Sequence, residues 1–121
     1  MGTELLSPRY AASHAVVVGI DQYKHASPLH CAVNDATVVA ETLTSLFGFS
    51  AENVHLLTDS MATRSAILRR FLSFAESGTD FNDRLIVFFA GHGHTVRSTK
   101  GEVGFLVPYE GDPDDLSSLI R

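Results

Sequence analysis

The stretch LIVFFAGHGHT, Leu85 to Thr95, decides the fold. Six apolar residues, Leu85 to Ala90, run without a break into Gly91-His92-Gly93-His94. A short continuous apolar run of this kind suits a strand covered on both faces, as in a parallel sheet. Glycines at its end let the backbone turn sharply and let another group approach closely. The histidine between them then stands where a strand hands over to a loop.

The segments upstream repeat the theme. Ala15 to Ile20 (AVVVGI) is a second such run, ended by Asp21-Gln22-Tyr23. LHCAVNDATVVAETLTSLFGF follows, with Val33, Ala36, Ala40, Leu43 and Phe47 at helical spacing and Val39 and Leu46 widening the stripe. Gly48 is a left-handed stop, and Phe49 can fold back on the last turn. Asn53 to Leu57 (NVHLL) predicts another strand, closed by the turn residues Thr58-Asp59-Ser60. Thr63 is the expected N-cap of a second helix, whose stripe is Ile67, Phe71 and Phe74 and whose end is Ser77-Gly78. Residues 80–84 (DFNDR) form a turn into the run at Leu85.

Downstream, Thr95 to Glu102 (TVRSTKGE) is expected to be a loop. Val103 to Tyr109 (VGFLVPY) is a short strand or hairpin arm that Pro108 confines to an edge or an end. The predicted organisation is a leader over 1–13, a domain over 14–109 and an acidic, mobile tail over 110–121.

The order is β-α-β-α-β. It predicts an α/β fold: an open, mostly parallel sheet with helices on both faces. Ligands in such sheets bind beyond the carboxyl ends of the strands. Asp21 and His92 both lie just past such an end.

Bulk properties narrow the function. A chain of 121 residues is one domain or part of one, and 45% apolar residues can fill a core. A net charge of −5 argues against a general nucleic-acid binder and leaves room for a basic peptide partner. Cys31 is the single cysteine, which excludes an internal disulfide and fits a reducing, cytoplasmic setting. The leader lacks a basic start followed by an apolar run, so no signal peptide is expected. No stretch approaches the roughly 18 apolar residues of a membrane span.

His92 is the leading catalytic candidate, flanked by glycines at the productive rim, and the N–H of Gly93 is placed to donate to a developing oxyanion. His94 would share a face with His92 in an extended chain, but two histidines make a weak metal site, and an exposed loop histidine is favoured. Asp35, at the start of the first helix, has two readings. Acids stabilise helix N-termini by about 0.3–1 kcal/mol; alternatively the carboxylate faces the cleft and pairs with a cationic side chain. Asp21 joins it as a candidate substrate-binding acid. Cys31 begins the same helix, where a thiol can be activated, although a small structural cysteine is the plainer reading. Glu110, Asp112, Asp114 and Asp115 lack the ligand spacing of a calcium loop and suit a solvated acidic turn. No metal or cofactor is expected.

Taken together, AVVVGIDQY, LHCAVNDA, LIVFFAGHGH and GFLVPYEGD resemble the caspase-like cysteine peptidases, with metacaspase-type and bacterial members nearest in flavour. The resemblance runs from His14 to about Asp112. It implies a sheet of strand order 2-1-3-4-5-6. It implies that His92 is the histidine of a Cys-His dyad, that Gly93 contributes to the oxyanion hole, and that Asp35 helps form an acidic pocket for Arg or Lys. It allows Ca²⁺ as an activator, as in some metacaspases. The family's nucleophile lies on a fourth strand downstream of the histidine. No such strand lies within these 121 residues, so the expectation is a large-subunit portion completed by the rest of the domain and inactive alone. Cys31 is then at most a secondary thiol. The competing expectations are a catalytically inactive adaptor of the same fold and, from a different class, a metal hydrolase built on His92 and His94.

Overall fold

The computed structural model describes residues 12–76 and 83–121. Three parallel strands form the main sheet. They are β1 (Ser13–Gly19), β2 (Val54–Thr58) and β3 (Arg84–Ala90), in the order β2-β1-β3. This is the 2-1-3 portion of the expected order. Helices α1 (Ala32–Ser45) and α2 (Arg64–Glu76) cover opposite faces.

The sequence explains why β1 is central. Each of Ala15, Val16, Val17 and Val18 is at most 1% exposed. Alternate side chains point to opposite faces. Ala15 and Val17 therefore pack with Ala36, Ala40 and Leu43 of α1, while Val16 and Val18 pack with Ile67 of α2. A strand with water on neither side needs no polar residue, hence the unbroken apolar run. Small residues let α1 lie close on the sheet. A Cβ on Gly19 would come within 2.6 Å of both the Ala32 carbonyl oxygen and the Ala36 Cβ.

The expected helix ends are present, with one difference. Gly48 has φ +72°, and the Phe49 N–H returns to the Leu43 carbonyl at 3.0 Å, so Phe49 is buried. The apolar stripe of α1, however, stops at Leu43. Leu46 and Phe47 lie past the last helical residue and are 77% and 62% exposed. Thr63 caps α2 as expected, its Oγ1 accepting from the Ala66 N–H at 3.1 Å. The expected stop at Ser77-Gly78 lies outside the described residues.

Two segments differ from the sequence reading. Residues 95–102 are not a loop. They belong to an antiparallel hairpin of β4 (Gly93–Ser98) and β5 (Gly101–Leu106), turned at Thr99-Lys100, with Gly101 at φ +129°. Neither strand has a buried residue, so the apolar periodicity that reveals a strand is missing over β4, while β5 overlaps the arm expected from Val103. β5 ends two residues before Pro108, in keeping with the limit that residue sets.

The region 110–121 is not a loose tail. Leu119 and Ile120 are buried, and Ile120 exchanges two backbone hydrogen bonds with Leu106. Two apolar residues at its end outweigh the charge that precedes them. The acids serve the local chain. Glu110 accepts the Arg64 N–H at the start of α2, Asp112 accepts from the Asp114 N–H, and Asp115 accepts from the Ser117 N–H.

Candidate active site

The β3 strand delivers His92 to the carboxyl rim of the sheet, two residues beyond the strand's last residue, Ala90, whose carbonyl accepts from the Ile20 N–H. Three contacts hold the residue. Its N–H donates to the Tyr23 hydroxyl oxygen at 2.7 Å. Its carbonyl accepts from the Val107 N–H at 3.0 Å. Its ring nitrogen Nε2 lies 2.8 Å from the Ser27 carbonyl oxygen. A carbonyl can only accept, so the neutral ring carries its proton on Nε2 and keeps its lone pair on Nδ1.

Tyr23 and Ser27 lie on the loop between β1 and α1, which is itself anchored. Asp59, just past β2, adopts the left-handed conformation at φ +46°. Its Oδ1 accepts from the N–H groups of Asp21 and Gln22 at 2.9 and 3.0 Å. Asp21 in turn points its carboxylate at the start of α1. Oδ1 accepts from the Ala32 N–H at 2.8 Å and Oδ2 from the Val33 N–H at 3.3 Å. Those N–H groups have no partner within the helix, and the helix dipole favours an anion there. The Cys31 side chain occupies the N-cap position without making a capping hydrogen bond.

Asp21, Cys31 and Asp35 therefore share the rim with His92. Cys31 and Asp35 are exposed, and Asp35 sits in the first turn of α1. Asp21 has its carboxylate occupied by α1, which makes it a brace for the loop. His94 is half-buried within β4 rather than on a loop. Among the described residues, no three His, Cys, Asp or Glu side chains come together as metal ligands.

The hairpin register settles which way the Gly93 amide faces. Leu106, opposite Gly93, gives both its N–H and its carbonyl to Ile120. The Gly93–Leu106 pair is thus the non-hydrogen-bonded kind, and the Gly93 N–H is aimed away from β5.

Tyr23 is half-buried against the α2-side core. Burial pushes its pKa up, the His92 N–H lowers it in part, and the carboxylates of Asp21 and Asp59 raise it further. The hydroxyl therefore stays protonated through the neutral range.

The expected position of His92 at a strand end is observed, and the groups that hold it were not expected. Ser27 acts through its backbone carbonyl, which any residue supplies, so no side-chain signal exists. Asp59 looks like an ordinary turn residue. Tyr23 carried the one available signal, an aromatic residue two positions after Asp21 at a strand end.

The opposite, amino-terminal rim of the sheet holds a cavity of about 170 Å³, lined in part by His14, His55, Arg70 and Ser73. There burial, then Arg70 and His14, depress the His55 pKa. Among the described residues, no helix is long and apolar enough to cross a membrane.

Comparison with known proteins bears on the family and the fold. The caspase domain family matches residues 12–121. Metacaspase-9 of Arabidopsis thaliana is 32% identical over 94 residues, covering 71% of this chain and 28% of that protein. Metacaspase-4 of the same plant is 33% identical over 119 residues, covering 88% and 28%. A crystal structure of a Geobacter sulfurreducens protein shares the fold at a TM-score of 0.67 and 22% identity, covering 83% of this chain and 40% of that one. The chain spans less than a third of the length of these two plant relatives.

Proposed function

The chain belongs to the caspase domain family, and from that premise we propose that it is the histidine-bearing part of a cysteine endopeptidase that cuts after Arg or Lys. The cysteine nucleophile comes from a segment of the domain outside these residues. On its side away from β1, β3 pairs with no strand among the described residues, and Val87 on it is 45% exposed. An apolar strand left with an open edge is unusual in a finished sheet, which supports a further strand there.

The chemistry follows from the site. His92 Nδ1 takes the thiol proton, the resulting thiolate attacks the scissile carbonyl, and the imidazolium then gives that proton to the leaving amine. The Gly93 N–H donates to the oxyanion that forms between these steps. Asp35 pairs with the cationic side chain before the cut, an interaction that an uncharged side chain cannot make. The substrate is a peptide segment of a protein.

The observation that carries the reading is the 2.8 Å contact between His92 Nε2 and the Ser27 carbonyl, which orients the ring and fixes its tautomer. The test is turnover of Arg, Lys and Asp reporter peptides by the full-length protein. Arg and Lys peptides should be cut and Asp peptides spared. His92→Ala should lower kcat by about 10²–10⁴-fold, the range for loss of a positioned acid–base group. Turnover that survives His92→Ala unchanged removes the dyad assignment.

A further inference from the structure

His92 is held at both ends by one short loop, and Tyr23 supplies the end nearest the backbone. The hydroxyl oxygen accepts the His92 N–H at 2.7 Å. The phenol ring also bears on the imidazole, with centroids 4.9 Å apart and planes tilted by 54°. On its other side the phenol packs against the core cluster of Val16, Val18 and Ile20, so it reaches the histidine from a rigid base.

Gly91 records the same arrangement from the opposite partner. A Cβ at that position would stand 2.3 Å from the Tyr23 hydroxyl oxygen. Gly91 has no left-handed φ that would require glycine on backbone grounds. The close approach of the hydroxyl is what the missing side chain makes room for.

Resting on the reading of His92 as the dyad histidine, we propose that Tyr23 is a positioning residue. Its hydroxyl fixes the main chain of His92, so that Nε2 meets the Ser27 carbonyl and Nδ1 is presented to the thiol. The loop needs its own anchors for this, and it has them. Asp59 holds the N–H groups of Asp21 and Gln22, the Tyr109 carbonyl accepts from the Lys24 N–H at 3.0 Å, and the Asp21 carbonyl accepts from the Leu29 N–H at 2.8 Å.

The test is Tyr23→Phe in the full-length protein, which keeps the ring and removes the acceptor. Losing one partly buried hydrogen bond on the dyad histidine should lower kcat about 5- to 10-fold, with KM within about twofold. The acidic limb of the kcat/KM profile should move to higher pH, because a misplaced imidazole stabilises the thiolate less well. Alkylation of the active-site thiol at neutral pH should slow in parallel. Gly91→Ala should cost less activity in the Tyr23→Phe background than alone, since the colliding oxygen is gone.

A wild-type rate and pH profile in Tyr23→Phe overturns the proposal. So does a loss of rate that tracks a lowered melting temperature with the pH profile unmoved, which marks a merely structural residue. His92→Ala run alongside separates the two levels. If it retains turnover, the dyad reading itself fails; if it abolishes turnover while Tyr23→Phe is silent, only the positioning role fails.

Discussion

The main sheet and the β4–β5 hairpin are both β-structure, yet they are stabilised in different ways. In β1, five of seven residues are buried, and helices lie on both faces. In β4 and β5, half-buried and exposed residues alternate and none is buried. The sheet is held by apolar packing and the hairpin by its ladder and its attachment points. His92 sits at their junction. Its N–H is fastened to Tyr23 on the sheet side, and its carbonyl to Val107 just past the hairpin. On the proposed reading of His92 as the dyad histidine, the group rests on the end of the more tightly packed of the two regions.

This contrast is tested most strongly by one methyl group placed in each region. Gly19→Ala puts a Cβ 2.6 Å from backbone and side-chain atoms of α1 that cannot swing aside. Overpacking of this kind costs about 1–3 kcal/mol, and the helix start that carries Asp35 must shift with it. Gly104→Ala in β5 meets nothing within 4 Å. Its effect should stay within about 0.5 kcal/mol, as for surface substitutions away from special features. Urea unfolding of the two variants checks this, and equal shifts in midpoint would erase the distinction between the regions.

A smaller effect is expected where the sheet meets the rim. Asp21→Ala removes the carboxylate that accepts from Ala32 and Val33. Loss of a helix cap costs about 0.5–2 kcal/mol. Asp21→Asn keeps an acceptor oxygen and should recover part of that loss. Both variants keep the Asp59 contacts, which go to the backbone N–H groups of residues 21 and 22. Comparing the melting temperatures of the two variants therefore isolates the cap. If the alanine variant melts with the wild type, Asp21 is free to serve a substrate instead, as first expected from sequence.

How much was visible beforehand follows the same division. Strands such as Ala15–Ile20 and Leu85–Ala90 announce themselves because burial on both faces demands continuous apolar residues. The first helix's stripe as far as Leu43, its stop at Gly48 and the N-cap at Thr63 are local physics and were equally legible. His92 stood out as a candidate because two glycines at a strand end are unusual. The hairpin's first arm was hidden because its Thr95 and Arg97 face water and leave no apolar period, whereas the second was expected from Val103 onward. The packing of Ile120 was hidden by the acidic residues before it, although two apolar side chains were enough to dock the segment. Asp21 as a brace for α1 was invisible for a different reason. Its partners are 11 and 12 residues away, beyond the reach of any capping pattern in sequence.

The smallest effect should come from the hairpin's own ion pair. Arg97 and Glu102 are directly opposed across the strands, with Nε 3.1 Å from the carboxylate, but their side chains are 78% and 61% exposed. Exposed pairs contribute about 0.2–1 kcal/mol, and salt screens them. A double-mutant cycle of Arg97→Ala and Glu102→Ala should give a coupling within that range, shrinking as salt is raised. A coupling well above about 1 kcal/mol that ignores salt would mean the two side chains are held in one geometry. The hairpin would then be as rigid as the sheet, and His92 would be clamped between two fixed bodies instead of hanging from one.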